Sequence, residues 1–409
     1  MIGRTPEALF SELLNAVASA RASDLHVSVG RPPILRIDGQ LAAVKDLPPL
    51  STEDVVQIAQ VILGTDRLPQ FFKERREVDV AFERAASEVR FRTNIYWTRG
   101  EPTIALRALE REIRTIQELN LPESLLRFAE PQQGFVLIVG PSGHGKTTTM
   151  ASLVNMINRT RTAHIVTIED PVEYVFREDK SLIHQREVGT DTHSFPDALR
   201  SVLREDPNVV MIGEMRDLET IATALTVAET GHLVFTTLHT NDAAQTIDRI
   251  VDAFPAQSQP EVRVELAATL TGIISQRLLP RVGGGRVPAV EVLVATPAVR
   301  NLIREGETAQ IPGMIQTGAL HGMITLEQSL QSLAERGEVK IGRSVEILVL
   351  EFPQRLVRHI DRQKARRPRR IHVGSRRVAD HPRPPGVERM SRRQGPERRH
   401  VFFLQDLDG

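Results

Sequence analysis

The hydrophobic positions change rhythm along the chain, and the changes mark its parts. Near the start, Leu9, Phe10, Leu13, Leu14 and Val17 recur at helical spacing and predict one face of an amphipathic helix. Short strand-like runs follow. Residues 25–29 and 34–39 read as two strands joined by a Pro-rich turn, and residues 78–82, 89–96 and 103–109 as three more. These elements predict an α+β domain over residues 1–108. A linker over residues 109–130 carries a short helix at 123–129.

From about residue 131, strands and helices alternate, the mark of a parallel sheet covered on both faces. Residues 135–139 are continuously apolar, as expected for a strand buried on both sides. Further strands are predicted at 165–168, 209–212, 233–238 and 290–294. Helices are predicted from Gly145, along the apolar face of Phe195, Ala198, Leu199, Val202 and Leu203, at 218–228, 243–254 and 262–279, and from Ala298. This second stretch predicts an α/β domain over residues 131–342. No tandem repeat is present. Residues 343–409 form a basic tail rich in Arg and Pro, as in Arg366-Arg367-Pro368-Arg369-Arg370, and residues 353–400 read as mostly disordered.

Charge sharpens this division. The formal net charge is zero, yet residues 351–409 carry 16 Lys+Arg against 7 Asp+Glu, and the preceding residues carry 36 against 45. An acidic body speaks against a nucleic-acid motor, since phosphate backbones are gripped by basic surfaces. The chain has no cysteine, which excludes a disulfide framework and any Cys-ligated zinc and suits a reducing cytoplasm. No stretch approaches the ~18 apolar residues of a spanning helix, and the first twenty residues lack a signal-peptide run. The expectation is a soluble protein that reaches a membrane only through a partner.

The candidate chemistry begins with Gly140-Pro141-Ser142-Gly143-His144-Gly145-Lys146-Thr147, which fits G-x-x-x-x-G-K-[ST] between a buried strand and a helix. The glycines let backbone N–H groups turn inward around phosphate oxygens, and the helix N-terminus adds partial positive charge. Lys146 is expected to reach the β/γ-phosphates and the Thr147 hydroxyl to hold Mg²⁺, with Thr148 completing the nucleotide-binding run. Two acidic groups follow successive strands: Glu169-Asp170-Pro171-Val172-Glu173 and Glu214-Met215-Arg216-Asp217. In an open parallel sheet both would face the loop. Glu214 is the first choice for the catalytic carboxylate and a Mg²⁺ ligand, directly or through water; Glu169 is the second. Gly213 stands before Glu214, where a P-loop hydrolase usually has an aspartate. His239 ends the strand at 233–238. It could sense the γ-phosphate or a neighbouring subunit, or be a hydrogen-bonded structural histidine, and His232 has the same two readings.

These motifs resemble the secretion/pilus ATPase superfamily, over residues 22–337, and within it the twitching-motility (retraction) branch. Ala22-Ser23-Asp24-Leu25-His26 resembles the opening of that branch's N-terminal PAS-like domain, and the phosphate loop its Walker A motif. Residues 167–173 resemble the Asp box, residues 213–220 the branch's Walker B form with its glycine, and residues 230–240 the His box. Ala298-Val299-Arg300-Asn301-Leu302-Ile303-Arg304-Glu305 is close to the retraction-linked A-I-R-N-L-I-R-E motif. The resemblance implies a RecA-like P-loop domain, a homohexameric ring, and ATP with Mg²⁺ between the two domains. It implies that arginines of the first domain close over the phosphates, with Arg92, Arg99 and Arg107 in the matching stretch. It also implies work on an inner-membrane platform protein from the cytoplasmic face, with related retraction ATPase subunits as further partners.

Departures are His144 at a serine-type position, Thr236 for glycine, His184 for asparagine and Asn208 for aspartate. The tail also departs. It fits either an added basic segment touching acidic lipid headgroups or a sequence out of frame after about residue 340. Competing functions are a pilus-assembly or type II secretion ATPase, a non-hydrolysing accessory ring subunit and, more remotely, a nucleic-acid translocase. The missing cysteines speak against the first of these, and intact Lys146, Thr147 and Glu214 against the second.

Overall fold

The structure, a computed structural model, describes residues 5–340 apart from 21, 38, 46, 75–76, 84–89 and 110–111. The tail readings therefore lie outside the described residues. Two sheets organise the rest. Helix α1 (Pro6–Ala20) is followed by β1 (Asp24–Ser28), β2 (Ile34–Ile37), β3 (Gln40–Ala43), α2 (Thr52–Glu74), β4 (Glu77–Glu83), β5 (Arg90–Thr98) and β6 (Glu101–Leu109). The strands form a six-stranded sheet in the order β3-β2-β1-β6-β5-β4, antiparallel throughout.

Alternation decides which face of this sheet is covered. Leu25 and Val27, Phe91 and Ile95, and Ile104 and Leu106 point to one side and are buried with the α1 residues Phe10, Leu13, Leu14 and Val17 and the α2 residues Val55, Ile58 and Ala59. The α1 face is the one its spacing predicts. The opposite face of the sheet carries Arg36, Asp24, Arg107, Arg92 and Arg90. Both α2, interrupted at Gly64 (φ 75°), and β3 lie in stretches where no element was expected.

The second sheet is built from β7 (Gly134–Val139), α3 (Lys146–Thr160), β8 (His164–Glu169), β9 (Leu182–Glu187), α4 (Phe195–Val202), β10 (Val209–Ile212), α5 (Leu218–Glu229), β11 (Leu233–Leu238), α6 (Ala243–Asp252), α7 (Gln259–Thr269), β12 (Leu270–Pro280) and β13 (Arg286–Val294). Helices α8 (Pro297–Glu305), α9 (Ile311–Thr317) and α10 (Leu326–Glu335) follow. The strand order is β13-β12-β7-β11-β10-β8-β9, parallel except for the β12–β13 pair. The fold is thus α/β with a mixed, mostly parallel sheet. One apolar cluster lies on each face. Every residue of β7, β10 and β11 is buried, which is why residues 135–139 and 209–212 read as unbroken apolar runs, while β11 carries Thr236 and Thr237 in its interior.

One predicted element is corrected. Residues 262–279 are not a single helix: α7 ends at Thr269 and β12 begins at Leu270. Val262, Leu266, Leu270 and Ile274 keep helical spacing through the junction, so periodicity alone does not separate the two. The decisive residue is Gly272. A Cβ there would come within 2.3 Å of the Phe128 ring and 2.5 Å of the Leu293 carbonyl, so the close passage of β12 beside the Glu123–Ala129 3₁₀ turn requires glycine.

Candidate functional site: a phosphate loop and its carboxylates

The phosphate loop leaves β7 at Val139 and enters α3 at Lys146. Gly140, Gly143 and Gly145 all have positive φ, at 143°, 76° and 79°. At Gly140 a Cβ would meet the Gln276 carbonyl at 2.4 Å, so the loop is pressed against β12. Lys146 folds back over it, its Nζ donating to the Gly140 carbonyl at 2.8 Å and the Pro141 carbonyl at 3.0 Å. Burial pushes the amine down to about 8, Arg277 adds to the fall, and the charges of Glu214 and Glu173 resist it. A cation so desolvated, with carbonyls as its near partners, suits an arriving phosphate. Thr148 Oγ1 bonds the Tyr174 hydroxyl at 2.8 Å, and Thr147 is half-buried at the start of α3. Thr149, one residue beyond the predicted run, bonds Gln276 Oε1 at 2.7 Å.

The carboxyl ends of β10 and β11 bring the next groups in. Glu214 follows β10 and His239 follows β11. His239 Nε2 lies 3.2 Å from Glu214 Oε2, while its Nδ1 lies 3.4 Å from Lys146 Nζ and 3.5 Å from Ser142 Oγ. Since ammonium and hydroxyl are donors there, Nδ1 accepts and Nε2–H donates to Glu214. The other Glu214 oxygen meets Arg216 at 2.5 Å. Four of the predicted residues (Ser142, Lys146, Glu214 and His239) are therefore one connected set. Gly213 has space for a Cβ, whose nearest neighbours would lie at 3.5 Å, so its glycine is not imposed by crowding.

Glu169 is placed differently from expectation. It ends β8 but is buried beneath the acidic loop. Oε1 accepts from Thr167 Oγ1 at 2.7 Å and Gln185 Nε2 at 3.2 Å, and Oε2 from the Glu173 N–H at 3.3 Å. Burial raises it to about 7 against the pull of those bonds. It shapes residues 170–173 from below through its bond to the Glu173 N–H. Glu173 is instead the acidic-run residue whose charge acts on Lys146.

The predicted arginines lie on the N-terminal sheet. Arg107 stands opposite both Arg92 and Asp24, and Asp24 opposite Arg36. A row Arg36–Asp24–Arg107–Arg92 thus crosses four strands on one face. Arg107 Nε donates to Asp24 Oδ1 at 2.9 Å. Burial works to raise the Asp24 carboxyl, but its hydrogen bonds with Arg107 and Ser23 hold it below its ordinary range. Arg99 sits at the β5–β6 turn with φ 54°. None of Arg92, Arg99 and Arg107 bonds the phosphate loop. A contact across to the second sheet comes from Arg90, whose Nη2 lies 3.4 Å from Glu187 Oε2. Glu187 also accepts from the Val172 N–H of the acidic loop at 3.1 Å.

Several residues escaped the sequence reading. Gln276 and Leu278, in the stretch predicted as helix, brace the loop through His144. Arg216 and Glu173 lay within quoted motifs, but spacing alone assigned them nothing. His232 is structural: its Nδ1 contacts the Val227 carbonyl at 2.9 Å at the end of α5. In α8, Arg300 bonds the carbonyls of Ala295, Ala267 and Ala268 and joins that helix to the end of α7.

Residues 5–284 match the family model described as type II/IV secretion system protein. This chain belongs to that family. It is 46% identical over 327 residues to the type IV pilus retraction ATPase PilT of Pseudomonas aeruginosa, covering 80% of this chain and 94% of that protein. It is 47% identical over 306 residues to a twitching motility protein of Neisseria gonorrhoeae, covering 75% and 81%. A solved structure of the pilus retraction motor PilT with bound ADP superposes with a TM-score of 0.76 at 47% identity, covering 82% of this chain and 95% of that one. The resemblance to the retraction branch therefore holds over most of the chain. Among the described residues no helix is long and apolar enough to cross a membrane.

Proposed function

We propose that this chain is a hexameric ATPase motor that hydrolyses ATP to power type IV pilus retraction and twitching motility. The observation that carries the enzymatic part is the contact chain from Glu214 through His239 to Lys146 and Ser142. It brings a strand-end carboxylate to the loop expected to hold the phosphates. In this reading Gly140 to Thr148 bind ATP, and Glu214 orients and deprotonates the attacking water. His239 keeps Glu214 aimed and linked to the loop.

Mg²⁺ fits the donor set. Among the described residues no cluster of three His, Asp or Glu side chains could cage an ion. Mg²⁺ held by phosphates, waters, the Thr147 hydroxyl and Glu214 needs no such cage. When bound it neutralises phosphate charge.

The N-terminal sheet is read as PAS-like, consistent with its antiparallel order, and the second sheet as RecA-like. Arg92, Arg99 and Arg107 are read as the arginines that close over the phosphates. The likeness to a pilus retraction ATPase supports the choice of machine. It also supports a cytoplasmic ring at the inner-membrane face, acting on a platform protein and alongside related retraction subunits, with no nucleic-acid partner.

The test of hydrolysis is Glu214→Gln. Turnover should fall by about 10²–10⁴-fold, the worth of a general base, with ATP binding retained. Wild-type turnover in that variant would remove Glu214 from the mechanism. Pili counted by electron microscopy in a deletion strain test the machine: excess pili with lost surface motility are expected, whereas bald cells would make it an assembly motor.

A further inference from the structure

Strand β12 is longer than its neighbour β7. Their pairing ends at Ser275 opposite Val139, while β12 continues to Pro280 against β13 alone. From Gln276 onward, the edge of β12 that faced β7 has no strand beside it. A backbone N–H directed there needs another partner. The phosphate loop occupies this edge. Leu278 is the residue concerned, and its N–H donates to His144 Nδ1 at 3.1 Å. Leu278 stands opposite Pro288, which has no N–H of its own to offer across the pair. The imidazole thus takes the place of a strand carbonyl. Gln276 braces the same point from both sides: its Nε2 donates to the His144 carbonyl at 2.8 Å, and its Oε1 accepts from Thr149 of α3.

We propose that His144 is a positioning residue for nucleotide. By accepting the Leu278 N–H it docks the apex of the phosphate loop onto the open edge of β12, and so sets how tightly the loop holds a nucleoside diphosphate. The inference rests on reading residues 140–148 as the nucleotide site. It is specific to this chain's histidine. A serine at the same position is too short to bring an acceptor where Nδ1 stands, so the loop of this chain is tied to β12 by a bond of its own. The predicted consequence is slower nucleotide release. Release requires the loop to relax, and a docked apex relaxes less readily.

The experiment measures a fluorescent ADP analogue on the full chain, by equilibrium affinity and by dissociation rate after mixing with excess unlabelled ADP. His144→Ala removes the acceptor. His144→Gln places its amide at the Nε2 position, beyond reach of Leu278. His144→Asn places Oδ1 close to Nδ1 and restores an acceptor. Alanine and glutamine should weaken ADP roughly tenfold, about the worth of one hydrogen bond, and mostly through faster dissociation. For ATP, KM should rise more than kcat falls. Asparagine should stay within about twofold of wild type. An asparagine variant as weak as the alanine one, or an alanine variant as tight as wild type, overturns the proposal. If the wild-type chain itself holds no ADP, the nucleotide-site reading fails, a result distinct from loss confined to the His144 variants.

Discussion

Lys146 and Arg107 are both cations predicted to meet phosphate, and the molecule treats them in opposite ways. Lys146 is 7% exposed, and its amine is bonded to two loop carbonyls. The Arg107 side chain is 67% exposed and bonded to a carboxylate. The first has lost water without gaining a close counter-charge, which is why its amine falls to about 8. The second keeps its water and has an ion partner. The phosphate loop is thus a finished site under electrostatic tension that an anion relieves. On the arginine face of the N-terminal sheet, Arg107 is already paired with Asp24, and for it to reach a nucleotide would require an exchange of partners.

The largest expected effect breaks this contrast at Lys146. Lys146→Ala should weaken ADP by at least about 100-fold, since it removes a charge-assisted contact inside a desolvated site. A pH series sharpens the result. In the free protein the amine loses its proton at about 8 instead of the ordinary 10.5. Bound phosphate favours the charged form, so above pH 8 binding must take up a proton. Wild-type affinity should be level below pH 8 and fall by up to tenfold per pH unit above it. Lys146→Arg, whose guanidinium stays charged, should show no such fall. Calorimetric titration between pH 7 and 9.5 measures both, and a wild-type affinity flat across that range would remove the tension argument.

How much of this was legible in the sequence follows the same contrast. The loop, both acidic runs and His239 could be read because each lies at the end of a mostly buried strand with apolar residues in its interior. A parallel sheet then delivers strand ends to one rim. What could not be read was what lies beside the loop. Gln276 and Leu278 sit on β12, more than a hundred residues away, in a stretch whose helical spacing hid a strand. Glu169 was legible as a strand-end carboxylate. Its burial under the loop was not, because that depends on Gln185 of β9, a strand whose polar residues gave no apolar run. Arg92 and Arg107, on β5 and β6, were named through the family resemblance alone. Their register against Asp24 depends on pairing between distant strands, which spacing does not encode.

A smaller effect separates the two regions by rigidity. At Gly272 an added methyl would strike the Phe128 ring and the Leu293 carbonyl in a part of the second sheet packed on both faces. Gly272→Ala should therefore cost about 2 kcal/mol of stability, the usual size of overpacking. At Gly100, in the turn beside Arg99, the same Cβ would meet nothing within 4 Å. Only its left-handed φ of 82° opposes a side chain there, and Gly100→Ala should cost about 1 kcal/mol. Urea unfolding of the two variants checks the order, and equal losses would mean that crowding at Gly272 relaxes freely.

The smallest expected effect lies where the two regions meet. Arg90 on β5 reaches Glu187 at the end of β9, and Glu187 also holds the Val172 N–H of the acidic loop. Both side chains are mostly buried, at 21% and 13% exposure, so the contact is less screened than a surface pair. Through it the N-terminal sheet touches the residues that carry Glu173 toward Lys146. If it transmits position, Arg90→Ala and Glu187→Ala should each slow ATP turnover about three- to fivefold. The double variant should then be no slower than the Glu187 variant alone, because that variant already removes the Arg90 link along with the Val172 bond. That non-additivity corresponds to a coupling of about 1 kcal/mol, the size measured for partly exposed ion pairs. Effects that multiply in the double variant would mean that the two residues act separately, and that the arginine face communicates with the phosphate loop only through the nucleotide itself.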